Sequence, residues 1–160
     1  MSQSVQLYLD VCYLNRPFDD WGQPRIRLEA EAVLEILERC QKRDWQLINS
    51  FALIKEVQRT TDPNRRQQVT AALDLANRTI EQTPEVITRA HEFIRLGIQN
   101  FDALHLACAE QGQVDAFLTT DERLLRRAKS LSMSITIENL LIWLVGTERA
   151  NGEDQCPLLN

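Results

Sequence analysis

Apolar residues in this chain fall into two patterns: short unbroken runs, and longer stretches with helical spacing. The run Val5-Gln6-Leu7-Tyr8-Leu9 is brief, rich in large apolar side chains and closed by Asp10, which reads as a buried strand. Segments 45–49, 116–119 and 134–137 read the same way. Ile26, Ala30, Val33, Leu34 and Leu37 recur three and four residues apart and predict a long helix over 25–41. Ser50 is a ready N-cap for a helix over 51–59, which Asp62-Pro63-Asn64 breaks. Further helices are predicted over 65–77, from Thr83-Pro84 to a stop at Gly97, over 101–111 before Gly112, over 122–130 and over 139–145. Segment 17–24 reads as a loop.

Strands separated by helices imply an α/β fold, a three-layer α/β/α arrangement around a central, mostly parallel sheet. The helical stretch between the second and third predicted strands is longer than a simple crossover requires, and is expected to wall a crevice at the sheet's edge. Residues 1–145 are expected to form one domain. Residues 146–160 are polar and aperiodic and are expected to be a flexible C-terminal tail.

Composition narrows the class. With 160 residues and 44% hydrophobic content the chain can bury a core without disulfides. Cys12, Cys40, Cys108 and Cys156 form no C-x-x-C pair and no cluster with histidine, which argues against a zinc site or a disulfide framework. No apolar run reaches membrane-span length and the first residues lack a basic-then-apolar signal pattern, so a cytoplasmic protein without membrane contact is expected. A formal charge of −5 argues against tight binding of a nucleic-acid backbone by charge alone.

Four acids then carry the candidate chemistry: Asp10, Glu56, Asp102 and Asp121. Asp10 and Asp121 each follow an apolar run. Ligand sites of open parallel sheets form outside the carboxyl ends of the strands, so both acids would reach one crevice. Glu56 and Asp102 lie in helical stretches able to join them. Carboxylates gathered this closely repel one another unless a hard cation lies among them, and oxygen-only ligation favours Mg²⁺ or Mn²⁺. Each acid has a plainer role as well. Asp10 can pair with an arginine, Glu56 can be a solvated helix acid, Asp102 suits a helix's first turn and Asp121 suits an N-cap. His105, three residues beyond Asp102, reads as a packed, hydrogen-bonded histidine. Cys12 reads as a small side chain packed after the strand. Glu29, Glu31, Glu35 and Glu38 read as the wet face of the long helix, with Glu35–Arg39 and Glu38–Lys42 at ion-pair spacing. Arg25, Arg27, Arg123, Arg126 and Arg127 read as solvated cations.

Taken in order, four motifs resemble the PIN domain family, which includes VapC-type toxins. They are Tyr8-Leu9-Asp10-Val11 with Asn15-Arg16-Pro17, Ser50 with Ile54-Lys55-Glu56, Asp102-Ala103-Leu104-His105-Leu106-Ala107, and Phe117-Leu118-Thr119-Thr120-Asp121. The resemblance implies a Mg²⁺- or Mn²⁺-dependent endoribonuclease acting on single-stranded RNA and leaving a 5′-phosphate. It assigns the four metal-binding acids to Asp10, Glu56, Asp102 and Asp121, and a supporting hydroxyl to Thr119. Ser50 falls on a common small polar position. It further implies an antitoxin-like protein partner, and the amphipathic helix over 25–41 suits that partner or a homodimer. The alternatives are a housekeeping RNA-processing nuclease and a PIN-fold protein-binding module without nuclease activity. Aspartyl phosphotransfer fits poorly. Phosphatases of that type need a second Asp where Cys12 stands, and Ser2-Gln3-Ser4 supplies no receiver-type acidic pair.

Overall fold

In the computed structural model, which describes residues 4–153, five strands form one sheet. They are β1 (Val5–Leu9), β2 (Trp45–Ser50), β3 (Arg78–Ile80), β4 (Ala116–Leu118) and β5 (Thr136–Glu138), in the order β3-β2-β1-β4-β5. Every pairing is parallel, with Leu7 opposite both Leu47 and Ala116, and Tyr8 opposite Phe117. A parallel sheet covered on both faces needs apolar side chains on both sides of each strand. That is why β1 and β4 read as continuous apolar runs, with Leu7, Tyr8, Leu9, Ala116, Phe117 and Leu118 fully buried.

Eight α-helices cover the sheet: α1 (Val11–Asn15), α2 (Pro24–Gln41), α3 (Phe51–Gln58), α4 (Pro63–Leu73), α5 (Pro84–Arg95), α6 (Asn100–Gln111), α7 (Glu122–Lys129) and α8 (Leu140–Glu153). Helices α2 and α8 pack together, while α5 packs on α6, α6 on α3 and α3 on α4. The result is the expected three-layer α/β/α arrangement. From β1 the chain moves outward to β2 and β3, then returns across β1 to β4 and β5. The order therefore reverses between β1 and β4, and the crevice beyond their carboxyl ends is the switch point where such sheets bind ligands. No helix among the described residues is long and apolar enough to cross a membrane.

Some elements depart from the pattern reading. β3 was not predicted: only three residues long, with Arg78 and Thr79 exposed, it has neither the length nor the apolar content to register as a strand. The helix expected over 65–77 is α4, which begins at Pro63 because Asp62 caps it, its side chain accepting from the backbone N of Asn64 and Arg65. The last strand lies at Thr136–Glu138 rather than 134–137. Helix α8 runs past residue 145 to Glu153, anchored by an ion pair between Arg39 and Glu148 and by Trp143, whose ring meets Trp45 at 5.1 Å. Residues 154–160 of the expected tail, with Cys156, lie outside the described residues.

Glu29 corrects the reading of α2. It does not lie on the wet face with Glu31, Glu35 and Glu38 but is fully buried, its carboxylate accepting from Arg16 Nε at 2.6 Å and Arg25 Nε at 2.9 Å. Helical spacing alone places Glu29 beside Arg25, but Arg16 arrives from a 3₁₀ turn (Arg16–Phe18) that the sequence reads only as loop. Arg16 also meets Asp19 at 2.8 Å, and Arg65 of α4 joins Asp19 at 2.7 Å and the Phe18 carbonyl at 2.9 Å. This chain of charges pins segment 17–24 between α2 and α4. The two anticipated surface pairs are present, Glu35–Arg39 at 2.9 Å and Glu38–Lys42 at 3.0 Å.

Glu29→Gln should lower stability by about 2 kcal/mol, less than the ~3–5 kcal/mol of a wholly buried broken pair because both arginines keep contact with solvent. Thermal unfolding should then begin some 4–8 °C lower. An unchanged melting midpoint would mean the network contributes nothing to the fold.

Candidate active site

Asp10 leaves β1 in extended conformation and caps α1, its Oδ1 accepting from Val11 N at 2.7 Å. Its Oδ2 accepts from Thr119 Oγ1 at 2.8 Å, and its own N–H donates to the Leu118 carbonyl at 3.0 Å. Thr119, fully buried just after β4, also accepts from Asp121 N at 3.1 Å through the same hydroxyl. Asp121 in turn caps α7, with Oδ1 accepting from Arg123 N at 2.9 Å and Leu124 N at 3.1 Å. Both capping bonds fall on one oxygen, so Oδ2 is left for another partner. Cys12 Sγ contacts Thr120 Oγ1 at 3.3 Å, beside these loops, and burial pushes its thiol up to about 12. At that value it is no nucleophile near neutral pH.

Glu56, in the last turn of α3, and Asp102, in the first turn of α6, are both half-buried. With Asp121, Gln99, Asn100 and Phe101 they line a cavity of about 570 Å³. Asp10 lies behind them, 8% exposed, and ligand atoms of Asp10, Glu56 and His105 all fall within 4.8 Å of one another. The fold thus brings all four sequence-predicted acids to one end of the sheet. Among the described residues no lysine or arginine lies within ion-pairing distance of any of them. The strain of this arrangement appears at Asp102. Burial first, then the charges of Asp10 and Asp121, push its carboxyl up to about 6. A larger cavity of about 650 Å³ between α3 and α4 gathers no such acids, only Asp74 among apolar and amide side chains.

Behind Glu56 runs a buried hydrogen-bond chain. Leu53 N donates to Ser50 Oγ at 3.1 Å, Ser50 Oγ meets Tyr8 Oη at 2.6 Å, and Tyr8 Oη meets His105 Nδ1 at 2.6 Å. His105 Nε2 meets Glu56 Oε2 at 2.5 Å. A carboxylate only accepts, so Nε2 carries a proton and donates to it. With the ring neutral, protons assigned from the network run in one direction: Ser50 donates to Tyr8, Tyr8 to His105 and His105 to Glu56. Burial raises the Tyr8 phenol well above its usual range, which keeps it a donor. His105 is 1% exposed and packs between Tyr8 and Phe101, as a structural histidine would. Its hold on Glu56 was not visible in the sequence. The available signal was Tyr8, since a tyrosine inside a buried strand needs a partner for its hydroxyl.

This chain belongs to the PIN domain family, whose model matches residues 20–130. The matched span holds Glu56, Asp102, Thr119 and Asp121, and Asp10 precedes it at the end of β1. Members of this family are generally nucleases, usually dependent on a divalent metal. Among solved structures, the chain resembles VapBC2 from Rickettsia felis bound to a DNA fragment from its promoter. There the TM-score is 0.58 and identity 14%, over 84% of this chain and 98% of that one. FitAcB from Neisseria gonorrhoeae gives a TM-score of 0.57 at 17% identity, over 84% and 98% of the two chains. VapBC-1 from nontypeable Haemophilus influenzae gives 0.53 at 11%, over 86% and 99%. At these identities the likeness is one of fold. No curated protein matches the chain in sequence.

The raised Asp102 carboxyl sets a pH dependence in metal-free protein. The folded state holds this proton up to about pH 6, the unfolded chain only to its ordinary value of 3.8. The folded state therefore binds more protons between these values, and stability falls as pH rises from about 4 through 6. In the presence of a chelator, Asp102→Asn should melt above wild type at pH 7.5 by roughly 1–2 kcal/mol after allowing for solvent screening. The gap should close towards pH 4. A variant that melts no higher at pH 7.5 would remove the repulsion from this account.

Proposed function

We propose that the protein is a Mg²⁺- or Mn²⁺-dependent endoribonuclease acting on single-stranded RNA, and the toxin of a toxin–antitoxin pair. The observation that carries this reading is the convergence of four carboxylates at the switch point with no lysine or arginine to neutralise them. Such an all-oxygen, cation-deficient donor set fits a hard divalent ion. Asp10 and Asp102 would be its central ligands, with Glu56 and Asp121 completing the site. A divalent ion held there supplies Lewis-acid activation of a phosphoryl oxygen and of an attacking water.

The surrounding residues each have a role in this reading. Thr119 fixes the Asp10 carboxylate through Oδ2, leaving its position independent of the ion. The Tyr8–His105 chain fixes one oxygen of Glu56 and leaves Oε1 for the site. His105 is therefore a positioning residue, its Nε2 already engaged. The open cavity in front of the acids suits a flexible strand that can bring one phosphodiester to them. The VapBC assemblies among the structural neighbours support an antitoxin-like protein partner. Leu28 and Leu34, exposed on α2, supply apolar surface for that partner or for a second copy of the chain.

The test is cleavage of labelled single-stranded RNA by metal-stripped protein before and after adding Mg²⁺ or Mn²⁺. Wild type should cut only with metal, and Asp10→Asn and Asp102→Asn should each abolish cutting while remaining folded. Metal should also stabilise wild type by about 2.7 kcal/mol at one hundred times its dissociation constant. The variant with all four acids changed to amides should show almost none of that shift. Undiminished cutting by either single variant would sink the assignment. An RNA left uncut by wild type would favour the protein-binding module.

Replacing His105 separates positioning from packing. His105→Gln keeps a donor near Glu56 and should retain most turnover, whereas His105→Leu should lose about 10–100-fold, the usual range for outer partners of metal ligands. Equal turnover per folded molecule in both would reduce His105 to a core residue.

A further inference from the structure

Helix α5 ends in a Schellman motif: Gly97 N donates to the Ile94 carbonyl at 3.0 Å and Ile98 N to the Phe93 carbonyl at 3.1 Å. Gly97 has φ +93, which favours glycine, and a second constraint acts on the same position. The Arg127 guanidinium of α7 lies so close that a Cβ there would overlap Nη1, with Cζ only 3.3 Å away. The missing side chain leaves the space the guanidinium fills. Beside it is a cavity of about 310 Å³ lined by Gly97, Arg123 and Arg127 on one side and by Gln99, Asp102 and Asp121 on the other. The last three also line the larger acid-walled cavity, so the two are continuous.

The charges in this cavity are arranged unusually. Arg16, Arg25, Arg39, Arg65 and Arg89 are all engaged in ion pairs. Arg123 and Arg127 form none among the described residues, although Asp102 and Asp121 line the same cavity. Two guanidinium groups held apart from nearby carboxylates keep their donors free for an anion between them. Guanidinium geometry matches phosphate oxygens. We propose that the cavity walled by Gly97, Arg123 and Arg127 binds a backbone phosphate of the nucleic-acid strand adjoining the phosphodiester at the acids. This rests on the nuclease reading and adds a direction to it: the strand leaves the acids along the N-terminal end of α7. It also supplies a local means for a chain of net charge −5 to hold a polyanion.

The experiment compares Arg123→Gln/Arg127→Gln with wild type and with a control of equal charge change, Lys42→Gln/Arg43→Asn. The control residues precede β2, at the amino edge of the sheet and opposite the acids. Cleavage of fluorescein-labelled single-stranded RNA in Mn²⁺ gives KM and kcat, and fluorescence anisotropy of the same RNA with each protein in an Asp10→Asn background gives Kd. The arginine pair should raise KM and Kd roughly tenfold or more, leave kcat within about twofold, and flatten the dependence of log Kd on log salt by about 1.4, or 0.7 per lost phosphate contact. The Mn²⁺-induced melting shift should stay at the wild-type value, and the control pair should behave as wild type. Unchanged Kd and salt slope would overturn the proposal, as would an equal loss in the control pair. If wild type cuts no RNA, the nuclease reading fails while anisotropy still decides this site. RNA bound by wild type and lost by the arginine pair supports it, and RNA not bound at all overturns it.

Discussion

Thr119 Oγ1 donates to Asp10 Oδ2 and accepts from Asp121 N, with no surface exposed to solvent. That one hydroxyl joins the ends of β1 and β4, the two strands between which the sheet reverses its order. Burial makes the link demanding, because an unsatisfied hydroxyl or carboxylate at this depth would cost free energy with no water to relieve it. The loops after both strands are therefore fixed relative to each other. Asp10 and Asp121, which also cap α1 and α7, inherit that fixed relation. Local helix capping and the geometry of the proposed site are thus set by the same atoms.

Glu29 and the four site acids show two solutions to one physical problem. Glu29 is a fully buried carboxylate neutralised by two arginines, and it ties a loop to a helix. Asp10, Glu56 and Asp121 are instead held by backbone N–H groups, a threonine hydroxyl and an imidazole, with no lysine or arginine in reach. Such donors orient a carboxylate without an ion pair that cancels its charge. The remaining repulsion registers at Asp102, whose carboxyl is pushed up to about 6. A set of acids arranged for stability would resemble Glu29; this one keeps its negative potential and directs it into an open cavity.

Much of this was legible in the sequence, for reasons that also explain what was not. β1 and β4 were found because buried parallel strands are apolar throughout, and α2 and α5 because their apolar positions repeat with the helical period. The four acids were found because two of them end such strands and motif order placed the others. β3 was missed because an exposed three-residue edge strand leaves no periodic trace. Glu29 was misassigned because periodicity describes one helix, whereas its burial depends on Arg16 from a separate turn. The Tyr8–His105–Glu56 chain draws on β1, α6 and α3, elements far apart in sequence, so no local pattern could carry it.

The same argument bears on charge. A net charge of −5 suggests a protein that repels nucleic acid, and for the molecule as a whole that holds. Binding depends on local potential, however, and at physiological ionic strength fields fade over about 8 Å. Within that range of the proposed phosphate cavity the relevant groups are Arg123 and Arg127 on one wall and Asp102 and Asp121 on the other. A divalent ion among the acids would reverse the sign of the second wall. The cleft would then be cationic on both sides while the rest of the surface stayed acidic. Under this reading the metal governs both chemistry and capture, and the metal-free protein would have little hold on RNA.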